Sequence, residues 1–233
     1  MCNVISNRHF GNTESVRNNI CIIGKAVFIL AHVVDKAEMR QVSVEELRQM
    51  TSDCRESIWA QAQSVGREPK IYLHWTAGHY GQFWDDYHVQ IDEDGEIYVY
   101  GELDEILSHT WRRNTGAVGV TLLCGYQANT SDLGPEAPTV AQIEGMARAI
   151  EALADGLWLT ICKEYVATHG EAADNECNDW CHEDYGPRTT CERWDLEYLQ
   201  TDESPAFNPW AEDGSRGGDV LRGKANWYHN QRG

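Results

Sequence analysis

Apolar residues recur at helical spacing in two segments of the chain. In the first segment, Leu47, Met50, Cys54 and Ile58 follow Ser43 at intervals of three and four residues, and the pattern stops near Gly66. In the second, Thr139 precedes a longer set with Gly156 as its predicted end: Ile143, Met146, Ala147, Ile150, Leu153 and Ala154. This spacing gathers apolar side chains on one helix face, and Ser and Thr are favoured N-caps. We therefore predict two amphipathic helices.

Runs rich in β-branched and aromatic residues predict strands between and after these helices. The runs span residues 70–76, 87–92, 96–100, 117–124 and 165–167. Residues 87–100 predict a hairpin, because Asp94-Gly95 suits a tight turn between twisted strands. Strands mixed with helices, with a hairpin inside the sheet, favour a mixed α/β fold in which helices flank a central mixed β-sheet.

The same pattern divides the chain into three parts. Residues 1–68 form a predicted helical N-terminal extension, and residues 69–200 form the main domain. Residues 201–233 are rich in glycine, proline and charge and lack periodic apolar positions. We predict an irregular C-terminal tail there, packed onto the domain through Phe207, Trp210 and Trp227.

Composition narrows the set of partners. The chain carries 37 acidic residues against 19 Lys and Arg, a formal net charge of −18. Such a charge repels phosphate backbones, so we expect no nucleic-acid partner. The apolar run at residues 20–34 is interrupted by Lys25 and His32 and is shorter than the ~20 residues that cross a bilayer. We expect a monomer without a membrane span. A signal segment is an alternative interpretation of the apolar run.

The eight cysteines are too scattered to predict a disulfide framework. Cys124 and Cys162 lie in apolar segments and are predicted to be buried thiols. Cys177, Cys181 and Cys191 are compatible with a disulfide plus a free thiol, with a metal site, or with three reduced cysteines in a loop. We favour the reduced loop, because this spacing is not a standard zinc motif.

Three of the nine histidines stand at predicted strand boundaries: His74, His88 and His169. A strand end fixes the direction of a side chain while the adjoining loop leaves it accessible, as a metal ligand requires. A single histidine in a strand is more often a hydrogen-bonded structural residue. The neighbouring motifs must therefore decide between these interpretations.

Several short segments occur in the order and at the separations typical of one enzyme family. They are Ile71-Tyr-Leu-His-Trp-Thr-Ala-Gly78 and residues 87–98, 118–120, 138–139 and 168–171, with His109, Asn114, Gly125 and Gln142 between them. In these segments the chain resembles the zinc-dependent N-acetylmuramoyl-L-alanine amidases shared by phage lysins and peptidoglycan recognition proteins. The resemblance covers residues 70–199. It implies the peptidoglycan recognition protein-like amidase fold.

The resemblance implies a zinc site. It assigns His74 and His169 as two ligands and Asp195, in the sequence Glu192-Arg-Trp-Asp195, as the third. Cys191 is the competing third ligand, because a thiolate is an equally good zinc donor. Two imidazoles and one carboxylate leave a fourth position for water, whose pKa zinc brings near neutrality. Zn²⁺ is therefore the expected cofactor.

Catalytic and substrate-binding residues follow from the same resemblance. Tyr87 matches the catalytic tyrosine of the family, with packing in a core as its alternative role. Arg193 is expected to stabilise the oxyanion by its fixed positive charge. The residues expected at the substrate groove are His109, Asn114, Trp75 and His79, joined by Trp84 and Trp111. Loop capping is the alternative role of His109 and Asn114, and His88 is expected to face away from the metal.

The chain departs from the family at one position. Some members carry a proton-accepting glutamate in the strand after the asparagine, and Thr121 stands there in this sequence. Glu171 is the substitute that we consider for the general base.

Together these features predict hydrolysis of the amide bond between the lactyl group of N-acetylmuramic acid and L-alanine in bacterial peptidoglycan. The expected location is the cell wall, as for a phage lysin or a bacterial autolysin. A cytosolic amidase that trims soluble muropeptides is one alternative, because no export signal is evident. A non-catalytic peptidoglycan-binding module is the other, and it is favoured if neither Asp195 nor Cys191 binds zinc.

Overall fold

The computed structural model describes residues 21–23, 26–28, 31–174 and 194–232. The chain divides into one unit of residues 1–31 and another of residues 32–233. In the first unit, strands β1 (Cys21–Ile23) and β2 (Ala26–Phe28) pair antiparallel. This division differs from the predicted boundary at residue 68, because residues 32–68 contribute a sheet strand and a packed helix to the second unit.

A six-stranded mixed sheet forms the centre of the second unit. Its strands are β4 (Arg40–Val42), β5 (Lys70–Trp75), β7 (Val89–Ile91), β8 (Ile97–Val99), β9 (Ala117–Leu122) and β10 (Val166–Thr168), while β3 (Val33–Val34) and β6 (Phe83–Trp84) form a small separate sheet. The order is β10-β5-β9-β7-β8-β4. The pairs from β10 to β7 are parallel, and β8 pairs antiparallel with β7 and β4. The predicted mixed α/β fold, including its hairpin, is confirmed.

Helices pack against this sheet. They are α1 (Val44–Ser64), α2 (Val140–Leu157), the short helix α3 (His169–Asp174) and α4 (Gly217–Arg232). Helix α2 contacts β5, β7 and β9, and both α1 and α4 pack on α2. Ser43 and Thr139 begin α1 and α2 with complete capping boxes, which satisfy backbone amides that a helix leaves unpaired. The two predicted helices are confirmed at their N-termini.

The end of α2 differs from the prediction. Gly156 is helical, and Trp158 caps the helix in the left-handed region with φ 61°. Glycine is needed at 156 for another reason: a Cβ there would lie 2.6 Å from Cβ of Thr51 on α1. The close approach of two helices, and not the helix stop, explains this residue.

The predicted irregular tail is wrong for Gly217–Arg232, which forms helix α4. Only a narrow stripe that includes Leu221 and Ala225 is buried, so the apolar pattern was too sparse to predict the helix. Polar contacts with α2 supplement that stripe: Lys224 and Tyr228 bond Glu144, and Arg232 pairs with Glu151 and Asp155. Phe207 packs on the core as predicted, whereas Trp210 and Trp227 are exposed, which corrects their predicted packing role.

The cysteine predictions have mixed outcomes. Cys124 is a buried free thiol, as expected, whereas Cys162 is only partly buried. Cys177, Cys181 and Cys191 lie outside the described residues, so their state stays a prediction. Among the helices that the structure describes, none combines the length and apolarity that crossing a bilayer requires.

His88 links three parts of the fold from a fully buried position. Its Nδ1 accepts a hydrogen bond from the Gly119 amide at 3.0 Å, and its Nε2 lies 2.9 Å from the Glu105 carbonyl. These partners assign the neutral tautomer that carries its proton on Nε2. Burial lowers the pKa of His88 to about 4, against the weaker opposing effect of the Glu105 carbonyl.

We expect replacement of His88 by Gln to reduce the loss of stability at acid pH. The unfolded chain protonates His88 near pH 6.5 but the folded chain only near pH 4, so stability falls as pH decreases through this window. The shift corresponds to about 3 kcal/mol. Free energies of unfolding are measured for both proteins from pH 7 to 4, with chelator present throughout. Equal pH dependence in both proteins would contradict the assignment.

We expect Gly156→Ala to lower the free energy of unfolding by about 1–3 kcal/mol, because the added methyl overlaps Thr51. Gly223→Ala on α4 is the matched control, since a Cβ there meets no atom within 4 Å. The control should raise stability by up to about 1 kcal/mol, the difference in helix propensity. Denaturant titrations measure both changes, and similar effects at the two positions would refute the close-packing argument.

Candidate metal centre

The parallel pairing of β5 and β10 brings two histidines together. Leu73 is opposite Thr168, so His74 and His169, the next residue of each chain segment, leave the same edge of the sheet. Their rings lie 4.8 Å apart between centroids and are nearly perpendicular at 76°. His74 is fully buried and His169 is 9 % exposed. Two imidazoles from separate parts of the sequence therefore face one point.

Asp195 completes a cluster of three ligand-type side chains. Its Oδ2 lies 3.5 Å from Nδ1 of His74 and 3.5 Å from Nδ1 of His169. Among the described residues, these three form the group of His, Cys, Asp or Glu side chains that could hold a metal ion. Their ligating atoms all lie within 4.8 Å of one another. Burial alone would raise the pKa of Asp195, but its hydrogen bonds and attraction to His169 and His74 lower it well below the usual range. The carboxylate is therefore charged at neutral pH.

Thr110 orients the His74 ring from behind. Its hydroxyl lies 3.3 Å from Nε2 of His74 and 2.9 Å from Nδ1 of His109. A consistent assignment has His74 donating from Nε2 to Thr110, which donates in turn to His109. This leaves Nδ1 of His74, on the side of Asp195, as the atom that would bind a metal. Thr110 is a residue that the sequence did not single out, because its role depends on contact between distant segments.

His109 and Asn114 lie behind the cluster. The His109 ring is 5 % exposed and lies 5.4 Å from both His74 and His88 between ring centroids. Asn114 accepts a hydrogen bond from the Thr110 amide at 2.7 Å, so it caps the turn that holds Thr110. These contacts agree with the alternative of loop support, while contact with substrate stays a prediction for both residues. His88 belongs to this supporting layer and is not among the three clustered ligand-type residues.

Tyr87 lies beside the cluster, and His79 contacts other residues. The Tyr87 ring is 5.2 Å from the His74 ring, and the residue is partly exposed. His79 bonds Glu136 at 2.7 Å and lies against the Tyr126 ring at 3.9 Å between ring centroids. Their predicted roles in catalysis and substrate binding stay predictions. Arg193 and Cys191 lie outside the described residues.

Trp75 has a packing role in place of the predicted contact with substrate. It follows His74 in the strand, so its side chain points to the opposite face of the sheet. The residue is 5 % exposed, belongs to the hydrophobic core and meets Trp194 edge-on at 4.8 Å. Trp194 immediately precedes Asp195, so this contact fixes the segment that carries the carboxylate. Trp111, in contrast, is exposed next to Thr110.

Thr121 and Glu171 are the two positions relevant to the general base. Thr121 lies directly opposite His74 on β9, so a glutamate at this position would adjoin the cluster, but a threonine hydroxyl does not titrate in the relevant range. Glu171 is buried and held by Arg222 through two hydrogen bonds of 2.7 and 2.8 Å. Burial alone would raise the pKa of Glu171, yet Arg222 lowers it. Glu171 therefore has a structural role as the ion-pair partner of Arg222, which corrects the suggestion that it is the general base.

Comparison with known proteins identifies a family for this chain. The family model of N-acetylmuramoyl-L-alanine amidase matches residues 62–193. No curated protein matches the chain. Two similar solved structures are an endolysin N-acetylmuramoyl-L-alanine amidase, LysCS, and an N-acetylmuramoyl-L-alanine amidase, LysC, both from Clostridium intestinale. Each is 20 % identical with a TM-score of 0.36 and covers 49 % of this chain, against 77 % of LysCS and 78 % of LysC.

The family match, and not these two structures, carries the assignment. It spans more than half of the chain and includes His74, Tyr87 and His169, while Asp195 lies just beyond its end. The chain belongs to the N-acetylmuramoyl-L-alanine amidase family.

Proposed function

We propose that this protein is a zinc-dependent enzyme that hydrolyses the amide bond between the lactyl group of N-acetylmuramic acid and L-alanine in peptidoglycan. The observation that carries the zinc dependence is the cluster of His74, His169 and Asp195, whose ligating atoms lie within 4.8 Å of one another. Family membership supports the substrate class. The site of action is the bacterial cell wall.

The donor set fits zinc in type and spacing. Zinc favours imidazole nitrogen and carboxylate oxygen, and three protein ligands are typical of catalytic sites. With metal–ligand bonds of about 2.1 Å, the ligands of a tetrahedral site are about 3.4 Å apart. The Asp195 oxygen is 3.5 Å from the nitrogen of each histidine, close to this value. Bound zinc would lower the pKa of water and polarise the scissile carbonyl, which is the chemistry that an unactivated amide needs.

The protein's own groups would divide the remaining work. Thr110 would hold the His74 ring in its ligating orientation, and Asp195 supplies the negative charge that balances the cation. We assign Tyr87, whose ring lies 5.2 Å from the His74 ring, to contact with the substrate or the attacking water. We assign Arg193, two residues before Asp195 in the sequence, to stabilisation of the oxyanion by its positive charge.

We expect His74→Ala, His169→Ala and Asp195→Ala each to lower zinc affinity and amidase activity by more than about a hundredfold, since loss of even an outer partner costs about 10–100-fold. Metal content is measured by elemental analysis, and activity by release of new L-alanine amino termini. The wild-type protein should hold about one zinc per chain and lose activity in chelator. His229→Ala, an exposed histidine on α4, is the control.

Cys191→Ala separates the two candidates for the third ligand. It should retain zinc and activity if Asp195 is the ligand. The reverse result, with zinc lost in Cys191→Ala and kept in Asp195→Ala, would transfer the role to the thiolate. Zinc retention in both His variants would refute the site itself. A zinc-loaded wild type without amidase activity would favour the non-catalytic binding module.

We expect Thr110→Val to weaken zinc binding by about 10–100-fold, the usual cost of losing a partner that orients a metal-bound histidine. Thr121→Val is the matched control, because it makes the same buried substitution in a residue beside His74. The hydroxyl that it removes lies 3.4 Å from the Leu122 carbonyl oxygen. Chelator competition measures both affinities. Unchanged affinity in Thr110→Val would remove the orienting role.

A further inference from the structure

His169 and Asp195 are each followed, two positions later in the sequence, by a buried glutamate. Glu171 follows His169, and Glu197 follows Asp195. The two glutamates are 7 % and 1 % exposed. A buried carboxylate is costly unless it is paired, so each must have a strong partner.

Arg222 on α4 is the partner of Glu171. Its Nη1 donates to Glu171 Oε2 at 2.7 Å and its Nη2 to Oε1 at 2.8 Å. The same Nη1 donates to the Val166 carbonyl in β10 at 3.0 Å. The guanidinium thus bonds both sides of His169, at the strand before it and at the helix after it. Paired bonds of this kind fix direction as well as distance.

Arg216, just before α4, is the partner of Glu197. Its Nε donates to Oε2 at 2.9 Å and its Nη2 to Oε1 at 2.7 Å. Both side chains are buried. The adjacent Gly217 amide also donates to the Glu197 carbonyl at 3.1 Å. Arg216 and Gly217 therefore hold the segment that carries Asp195 through both the side chain and the backbone of Glu197.

Two glycines let the start of α4 approach both ligand segments. A Cβ on Gly217 would lie 2.0 Å from the Leu196 carbonyl oxygen, next to Asp195. A Cβ on Gly218 would lie 2.8 Å from Oε2 of Glu171. At Gly217 such a separation excludes any side chain unless the backbone moves, and at Gly218 it excludes one unless the Glu171–Arg222 pair shifts. The start of α4 is thus fitted to both segments at once, and α2 holds the rest of the helix.

Glu197, Arg216 and Arg222 lie beyond the family match, which ends at residue 193, whereas Glu171 lies within it. We propose that Arg216 and Arg222 are positioning residues of the metal centre, which hold Asp195 and His169 in ligating geometry through Glu197 and Glu171. The proposal rests on the proposed zinc site. Buried ion pairs contribute little net stability compared with apolar replacements, so fold stability alone does not account for two of them beside two ligands. Metal ligands need placement within about 0.5 Å, which paired arginines provide.

The experiment measures zinc affinity by chelator competition in the full-length protein. The variants are Arg216→Met and Arg222→Met, and the matched control is Arg232→Met, which removes an α4 arginine paired with Glu151 and Asp155 of α2. We expect affinity to fall by about 10–100-fold in the two variants, as for other outer-layer partners of metal ligands, and by less than about twofold in the control. The spectrum of Co²⁺-substituted protein should shift in the variants and not in the control.

Paired variants keep the test valid if a single change unfolds the protein. Glu171→Met with Arg222→Met, and Glu197→Met with Arg216→Met, remove both charges and should recover metal-free stability. If the proposal holds, they fold with weakened zinc affinity and altered Co²⁺ spectra. Wild-type affinity and spectra in the folded paired variants would overturn it. Arg222→Lys, which keeps the charge without the paired geometry, should recover only part of the affinity.

Failure of the proposed function has a different signature. A wild-type protein that binds no zinc and no Co²⁺ would refute the metal centre before any variant is compared. Tight zinc binding in the wild type, in Arg216→Met and in Arg222→Met alike would refute only the positioning role.

Discussion

The parallel pairing of β5 with β10 is the constraint on which the candidate site depends. Parallel strands end at the same edge of a sheet, so residues that leave them in register stay neighbours whatever the length of chain between them. His74 and His169 use this property. The sheet fixes both imidazoles, since backbone hydrogen bonds on both sides of β5 prevent it from sliding. Two of the three candidate ligand positions are therefore set by backbone geometry.

The third position needs tertiary contacts, because Asp195 lies in an irregular segment. Its neighbours supply what a strand would otherwise provide. Trp194 meets Trp75 on the face of β5 opposite His74, and Glu197 is bonded to Arg216. The carboxylate is thus held between one apolar anchor and one ionic anchor. A change at either anchor would move the carboxylate while the two histidines stay in place. The geometry of the candidate metal centre is therefore more sensitive to the C-terminal segment than the sheet is.

Local patterns predicted most of the fold, and the family resemblance predicted the candidate cluster. The helices that begin at Ser43 and Thr139 were predictable because capping and apolar spacing are local properties. Helix α4 was not, since ion pairs with α2 glutamates support it and no periodic pattern records them. Thr110 was missed for the same reason: it matters only once His74 and His109 are adjacent. The roles assigned to Gly156 and Trp75 failed because close packing, a non-local property, determines them.

The layer of histidines behind the site has a consequence for its charge. Burial lowers the pKa of His109 well below its ordinary value, and the neighbouring histidines lower it further. A charged imidazolium one hydroxyl away from His74 would repel a cation, so a neutral ring favours metal binding. The same burial makes the fold vulnerable to acid, because the unfolded chain accepts protons that the folded chain excludes. The burial that keeps the surroundings of the candidate cation site uncharged therefore also lowers the stability of the fold at low pH.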